Sequence, residues 1–426
     1  MIQIVLGLGF GDEGKGSITD WLVRQSGSRL VVRYNGGPQA AHHVVTPDGR
    51  SHCFSQLGAG SFVAEVGTLL SRFVAVDPLA LERECTVFRH SGGPDLAGRV
   101  AMDERCVVVT PYHRAANRLE ERSRGDSRHG STGRGVGQAV LDARDRLAPI
   151  VYARVLSSPR RARRVLEQLR LTKLDIAEQH GAVDSPELET LRDRTLSAQL
   201  AERYAAAVTP LEVLEASAAA ARLRAHSRAV FEGAQGVLLD PDLGFFPHVT
   251  PTRTTVANAV ALLAEAGYEG PIQRIGVLRA YSTRHGEGPL PTYDSTWSTS
   301  LPESDNSDDG WQGDFRRGPF DAVLARYALA AVGGVDQLAL TCVDRLRELD
   351  RPTMCTAYQG IGPTAWDDLP LPADRTQQCE LTALLRRAQP ELRPLGGQPV
   401  AAIERRLERK VDIVSSGPSA ADKSLP

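Results

Sequence analysis

The sequence predicts an α/β protein: a single large P-loop-like domain with a mostly parallel central sheet and a helical insertion. Short apolar runs bounded by turn residues recur at residues 2–6, 30–32, 229–231, 275–278, 337–340 and 411–414. Helix-type patterns fill most of the gaps between them, the alternation expected of parallel strands joined by helices. Several runs exit into glycine-rich turns, where such sheets hold ligands. A length of 426 residues allows two or three domains or one large α/β unit with insertions. With 24% charged residues, 42% hydrophobic residues and a net charge of -2, the composition is that of an ordinary globular protein. It gives no general reason to expect a nucleic-acid or membrane partner. Cys53, Cys85, Cys106, Cys342, Cys355 and Cys379 are widely spread, with no metal-type spacing, as in a reduced intracellular protein. No basic, apolar leader opens the sequence and no stretch approaches about 18 apolar residues, so a cytoplasmic protein is expected.

The first strand runs straight into Gly9-Phe10-Gly11-Asp12-Glu13-Gly14-Lys15-Gly16, with a helix expected from about Ser17. Glycines let backbone amides converge on phosphate oxygens, the helix start adds a positive dipole end, and Lys15 adds a mobile cation. The spacing satisfies G-x-x-x-x-G-K, but Gly16 stands where the ordinary phosphate loop carries the Ser or Thr that holds magnesium. Asp12 is the candidate to take over the metal. The next strand leads to Tyr34-Asn35-Gly36-Gly37-Pro38-Gln39-Ala40-Ala41-His42-His43, where His42 can donate to a phosphate or act as an acid. Ser131-Thr132-Gly133-Arg134-Gly135-Val136-Gly137 is a second glycine-rich nest, suited to a monophosphate.

Residues 159–227 turn to Leu, Ala, Arg and Glu with few glycines, which predicts an all-helical insertion. Val165, Leu169 and Ile176 are expected on one buried helical face, as are Leu211 and Leu214. The Arg160 to Arg164 cluster reads as a solvated face. Beyond the insertion, Phe231-Glu232-Gly233-Ala234-Gln235-Gly236 ends a strand, and the Gln235 amide can donate to a purine oxo group. Thr250, Thr252, Arg253, Thr254 and Thr255 follow with further donors. Residues 295–318 form a polar Ser-, Asp- and Gly-rich loop with Trp297 and Trp311 embedded, expected to be mobile and to order around substrate. Thr341-Cys342-Val343-Asp344 and Ser415-Ser416-Gly417-Pro418 each follow a strand. Asp344 can accept from N1-H and the 2-amino group of guanine, an arrangement adenine cannot make. The tail from residue 419 to 426 is expected to be loosely ordered.

In this order, the motifs resemble the adenylosuccinate synthetase family over nearly the whole chain. Those that carry the resemblance are Gly11-Asp12-Glu13-Gly14-Lys15-Gly16, Tyr34-Asn35-Gly36-Gly37 with Ala40 and His42, Thr132-Gly133-Arg134-Gly135-Val136-Gly137, Phe231-Glu232-Gly233-Ala234-Gln235-Gly236 with Leu238-Leu239-Asp240, Ala280-Tyr281-Ser282-Thr283-Arg284, and Ser416-Gly417-Pro418. The resemblance implies a GTP-dependent C–N ligase that phosphorylates the 6-oxo group of IMP and displaces the phosphate with L-aspartate. Asp12, His42, Lys15 and Gln235 would then be catalytic, with Asp12 taking the N1 proton and His42 stabilising the transferring phosphoryl group. GTP would be held by Gly11, Asp12, Glu13, Gly14, Lys15, Gly16, Ala41, His42, His43, Asp344, Ser415, Ser416 and Gly417. IMP would be held by Asp12, Gln39, Thr132, Arg146, Gln235 and Thr250, with Arg146, or alternatively Arg144, reaching from the partner of a homodimer. Mg2+ would sit on Asp12 and the backbone carbonyl of Ala41.

Three departures from the family pattern stand out. Ala41 replaces a glycine. Cys342 replaces the lysine two positions before Asp344, which leaves ATP as an alternative donor. Where the family clamps the amine's carboxylates with Thr-Thr-Gly and consecutive arginines, this chain reads Trp311-Gln312-Gly313-Asp314-Phe315-Arg316-Arg317-Gly318, leaving Arg316 and Arg317. Losing one charge-assisted contact of about 1.5 to 3 kcal/mol weakens amine binding by roughly tenfold to more than a hundredfold. The alternatives to the family reaction are a ligase of the same mechanism using another amine or oxo-purine nucleotide, and a non-catalytic GTP-binding sensor.

Overall fold

The apolar run that opens the chain becomes the middle of the molecule. In the computed structural model, which describes residues 1–125, 128–303, 311–360, 362 and 365–426, all of β1 (Ile2–Gly7) is buried. The central sheet continues with β2 (Leu30–Arg33), β3 (Gly67–Leu70), β4 (Val100–Asp103), β5 (Glu212–Leu214), β6 (Ala229–Gly236), β7 (Ile272–Arg279), β8 (Gln337–Thr341), β9 (Ile413–Ser415) and β10 (Lys423–Ser424). Their spatial order is β10-β9-β8-β7-β1-β6-β2-β3-β4-β5. Every neighbouring pair is parallel except β9 with β10. Each of the six expected runs falls on a strand of this sheet, whereas β3, β4, β5 and β10 were not among them.

The order of strands positions the site. From β1 the chain crosses over to β2 and moves outward to β5, then returns to place β6 between β1 and β2 and β7 on the other side of β1. The direction of winding therefore reverses around β1, and a crevice opens where the carboxyl ends of β1, β6 and β7 meet. Register brings Gly7 opposite Gly236 on one side and Val277 on the other. Helix α1 (Lys15–Ser26) covers one face of the sheet through Ile18, Trp21, Leu22 and Val23, packed on Val5, Val230 and Ile275. On the other face Ile4 and Phe231 meet Leu262 and Leu263.

Residues 159–227 carry four helices, Pro159–Gln179, Pro186–Arg192, Leu196–Val208 and Ala216–Arg224, with the edge strand β5 among them. Leu214 thus lies on a strand and not on a helical face. In the first helix the buried stripe is Ala162, Leu166, Leu169, Arg170, Lys173 and Ala177, while Ile176 is 37% exposed. The stripe expected from Val165, Leu169 and Ile176 is therefore rotated from the true one. Lys173 conceals the true stripe in the sequence, because its ammonium is buried only by pairing with Asp142 at 2.7 Å. Arg160, Arg161, Arg163 and Arg164 are exposed.

The C-terminal tail also differs from expectation. It is docked, not loose: Lys423 is buried, Asp422 accepts from the Ser419 amide and hydroxyl at 2.7 Å each, and β10 pairs with β9. Of the loop 295–318, residues 304–310 lie outside the described residues. The flanks hold a helix, Ser295–Ser300, that buries Trp297 in the main core, and a strand, Phe315–Gly318, antiparallel to Ser282–His285.

Candidate functional site

Two cavities meet at the crevice. The first, of about 370 Å³, is walled by the 11–17 loop, Ala41 to His43, Arg279, Asp344 and the 415–418 turn. Gly11 and Gly14 carry φ of 114° and 83°, which side chains resist, and Gly14 caps α1 without any side-chain bond. The first amides of α1 therefore remain open toward the cavity, an anion site at the positive end of the helix dipole. Lys15 is buried, its ammonium 2.7 Å from both the Gly11 carbonyl and Glu13 Oε2. Glu13 also accepts from the Gly11 amide at 2.6 Å, and Thr341 donates to the Glu13 carbonyl at 2.7 Å. The cradle is thus pinned by its own carboxylate and by the end of β8. Asp344 lines the same cavity, and its Oδ1 is buried without a hydrogen-bond partner, an acceptor left for a ligand's N–H. Ser415 is buried with its hydroxyl 3.2 Å from the Gly417 carbonyl, whereas Ser416 is exposed and only its amide is engaged, with the Asp422 carbonyl at 3.0 Å.

The absent loop hydroxyl has a steric cause. A Cβ on Gly16 would lie 2.6 Å from His42 Cβ, so no serine or threonine fits there while His42 holds its place. His42 Nδ1 meets Glu232 Oε1 at 2.5 Å, and the other oxygen of Glu232 accepts from the Ala59 amide at 3.0 Å. Burial outweighs the attraction of Glu232 and pushes the His42 pKa down to about 4. The ring is therefore neutral near pH 7, with Nδ1-H directed at Glu232. Ala41 and His43 lie exposed on either side of it, at the cavity rim.

The second cavity, of about 240 Å³, is lined by Phe10, Gln39, Thr132, Gln235, Thr250 and His285 among others. Gln235 adopts φ 64°, a strained conformation for a side chain of this kind. Thr252 donates to its Oε1 at 2.8 Å and Thr250 stands 3.0 Å from Thr252. With the carbonyl end occupied, the amide NH2 is the end left for a ligand, and it suits an oxo group. Gln39 Oε1 is buried without a partner. Arg146 is exposed at the end of helix Val136–Asp145 and lines neither cavity.

Asp12 links the two cavities. It lines the first, while its Oδ2 lies 3.2 Å from Nε2 of His285, which lines the second. Burial raises the Asp12 pKa, but the close His285 contact and the charges of His285, Arg279 and Lys15 outweigh it and hold the carboxyl below its usual range. Among the described residues no group of three or more His, Cys, Asp or Glu could hold a metal. One ionised carboxylate beside a phosphate cradle nevertheless fits Mg2+, which takes one or two protein carboxylates and completes its shell with phosphate and water.

The hairpin carrying Arg316 and Arg317 is organised differently. Arg316 donates to the carbonyls of Gly286 and Gly288, the latter at 2.9 Å, and Arg317 is buried with Nη1 2.8 Å from the Ser298 carbonyl. The Nε atoms of both are buried without partners. Trp311 packs where a Cβ on Gly133 would fall, with Arg118, Arg122 and Arg128 5.1 to 5.5 Å from its ring centre.

The structure gathers Gly11, Asp12, Gly14, Lys15, Gly16, Ala41, His42, His43, Asp344, Ser415 and Gly417 at one cavity and Gln39, Thr132, Gln235 and Thr250 at the other. Ser416, Arg146, Arg316 and Arg317 line neither, and Glu13 lies behind the loop it braces. Sequence reasoning assigned no role to Glu232 or His285. Both sit inside or beside motifs it singled out, Phe231-Glu232-Gly233 and Thr283-Arg284, and a carboxylate or imidazole in such a place was the available signal.

The family model for adenylosuccinate synthetase matches residues 4–423. The chain is 33% identical to the adenylosuccinate synthetase of Acidithiobacillus ferrooxidans, with 99% of this chain and 98% of that protein covered. It is 32% identical to that of Caldanaerobacter subterraneus subsp. tengcongensis, with 89% and 86% covered. The structure of fully ligated adenylosuccinate synthetase from Plasmodium falciparum matches with a TM-score of 0.82 at 19% identity, covering 100% of this chain and 99% of that one. A succinoaminodeoxyadenylate synthetase of cyanophage S-2L, bound to dGMP and dATP as an energy donor, matches with a TM-score of 0.61 at 17% identity, covering 100% and 95%. These two likenesses concern the fold.

Proposed function

The chain belongs to the adenylosuccinate synthetase family, and from that membership we propose that it is a GTP-dependent C–N ligase joining IMP to L-aspartate to give adenylosuccinate, GDP and phosphate. The observation that carries the assignment of roles is Asp12, which lines the first cavity and touches His285 of the second. GTP occupies the first cavity, with its phosphates on the 11–16 amides and Lys15 and its base at Asp344. IMP occupies the second, with its 5′-phosphate at Thr132 and Thr250. Gln235, its carbonyl held by Thr252, donates to the 6-oxo group. Asp12 takes the N1 proton as O6 attacks the γ-phosphorus and the bond to the β-phosphate oxygen breaks. The phosphoryl anion passes His42, whose proton affinity rises beside it, so that the ring becomes a donor to the transferring group. The amine then attacks C6 and phosphate departs. Asp12 and the Ala41 carbonyl would hold Mg2+, which neutralises phosphate charge when bound.

Membership also supports a homodimer, in which an exposed Arg146 is free to serve the partner's site, and a cytoplasmic location. No helix among the described residues is long and apolar enough to cross a membrane. A second reading, the same mechanism with a different amine, is favoured by the engagement of Arg316 and Arg317 with carbonyls. Phosphate release from GTP separates these readings. Release that requires IMP and L-aspartate together is expected. Release with IMP and only some other amine would shift the amine assignment, and release with no acceptor pair at all would remove the ligase reading.

A further inference from the structure

At the base end of the GTP cavity Gly417 and Pro418 form the wall, and the C-terminal strand holds their turn, residues 416–419, from behind. The Lys423 ammonium, buried to 8% exposure, donates to the Gly417 carbonyl at 3.0 Å and to the Ser419 carbonyl at 2.8 Å. Asp422 grips the same turn through Ser419 and, by its own carbonyl, through the Ser416 amide at 3.0 Å. Lys423 pairs directly opposite Ser415, which also lines the cavity. The charged and titratable groups near enough to act on Lys423 are, from the strongest to the weakest, Asp422, Cys342, Asp20 and Asp344. Burial pushes its pKa down to about 8, so the ammonium still carries its charge near pH 7.

To accept from two N–H groups of a base Asp344 must be held square to that base, and its Oδ1 is buried without a protein partner to hold it. The turn across the cavity, which Lys423 ties, is the wall that can fix the base against it. We propose that Lys423 is a positioning residue for nucleotide selectivity: by tying the 416–419 turn at the wall of the cavity that Asp344 also lines, it sets the preference for a guanine over an adenine base. The inference rests on the assignment of the first cavity to GTP.

The test uses the full-length protein, Lys423→Met and Lys423→Gln, with GDP and ADP affinities by calorimetry and KM values for GTP and IMP. Lys423→Met should weaken GDP binding and raise the KM for GTP by about tenfold, with the KM for IMP and kcat within about twofold of the parent. ADP affinity should change little, so that the GDP-to-ADP preference falls. Lys423→Gln retains a donor for the carbonyls and removes the charge. It should show a smaller loss of preference with less effect on stability, and it carries the test if Lys423→Met does not fold. Equal losses for GDP and ADP, or a KM for IMP that rises as far as that for GTP, would mark a merely structural lysine and overturn the inference. GDP binding unchanged in the variants overturns it alone, whereas a parent protein that binds no GDP overturns the cavity assignment and this inference with it.

Discussion

Around residues 11–16 the groups that face a ligand are backbone amides, fixed by two glycines of positive φ and the first turn of a helix. In the Phe315–Gly318 strand the corresponding groups are guanidinium side chains, and in this structure both are engaged by carbonyls. The first arrangement has one backbone solution, and changing a glycine destroys it. The second depends on rotamers, so its donors can be redirected without moving the chain. The difference leaves the 11–16 loop little room for substitution and the Phe315–Gly318 segment more of it.

The sharpest way to probe that contrast is at Asp12, which belongs to the fixed half. Asp12→Asn should lower acceptor-dependent phosphate release by about 10³-fold, within the range for loss of a general base, while GDP affinity stays within about tenfold. Undiminished turnover would remove Asp12 as the base. Gly16→Ser restores the usual phosphate-loop hydroxyl yet should cost about 10²-fold in kcat/KM, because the new Cβ displaces His42. A neutral or improved Gly16→Ser enzyme would break the steric account of the loop.

On the adjustable half, Arg317→Ala should raise the KM for the amine by roughly tenfold with kcat little changed, if the guanidinium leaves Ser298 for a carboxylate. An unchanged KM with a lowered melting temperature would make Arg317 part of the frame instead.

The smallest effect concerns pH and the frame in which both regions are set. Burial pulls His42, His52 and His248 down to about 4 from 6.5. Between those values the unfolded chain binds more protons than the folded one, so these groups reduce stability as pH falls from 6.5 toward 4. Asp321, raised by burial to about 6 from 3.8, acts the other way over much of the same window. Asp20 and Glu84, also raised by burial, act with Asp321, and His113 and His129, also lowered by burial, act with the other histidines. The five histidines outnumber the three raised carboxylates, which predicts a melting temperature a few degrees lower at pH 5 than at pH 7, and a higher one at pH 5 would reverse that balance.

Most of the sheet was legible because strands buried on both faces read as continuous apolar runs. The outer strands were not: Gly67–Leu70 opens on a glycine and a threonine, Val100–Asp103 ends on a carboxylate, and Glu212–Leu214 is only half-buried at the sheet's end. Asp12, Lys15, His42, Gln235 and Asp344 were legible because each falls in a motif at or beyond the end of an apolar run, although the structure places Lys15 at the start of α1, Gln235 inside β6 and His42 at the start of a short strand, His42–Val45. Glu232 was not, since its bond to His42 spans 190 residues. Nor was His285, whose role depends on a contact with Asp12 far away in the chain. The orientation of Gln235 rests on Thr252, which appeared in the sequence only as one hydroxyl among several.

The close approach of Gly16 and His42 also bears on what could be transplanted. Residues 9–16 grafted onto another α/β scaffold would cradle a phosphate with an open notch at position 16, and nothing would fill it. The smallest portable unit is the loop together with the strand that delivers His42 and the glutamate behind it. Three separate stretches of the chain must therefore be inherited together before the loop does more than bind.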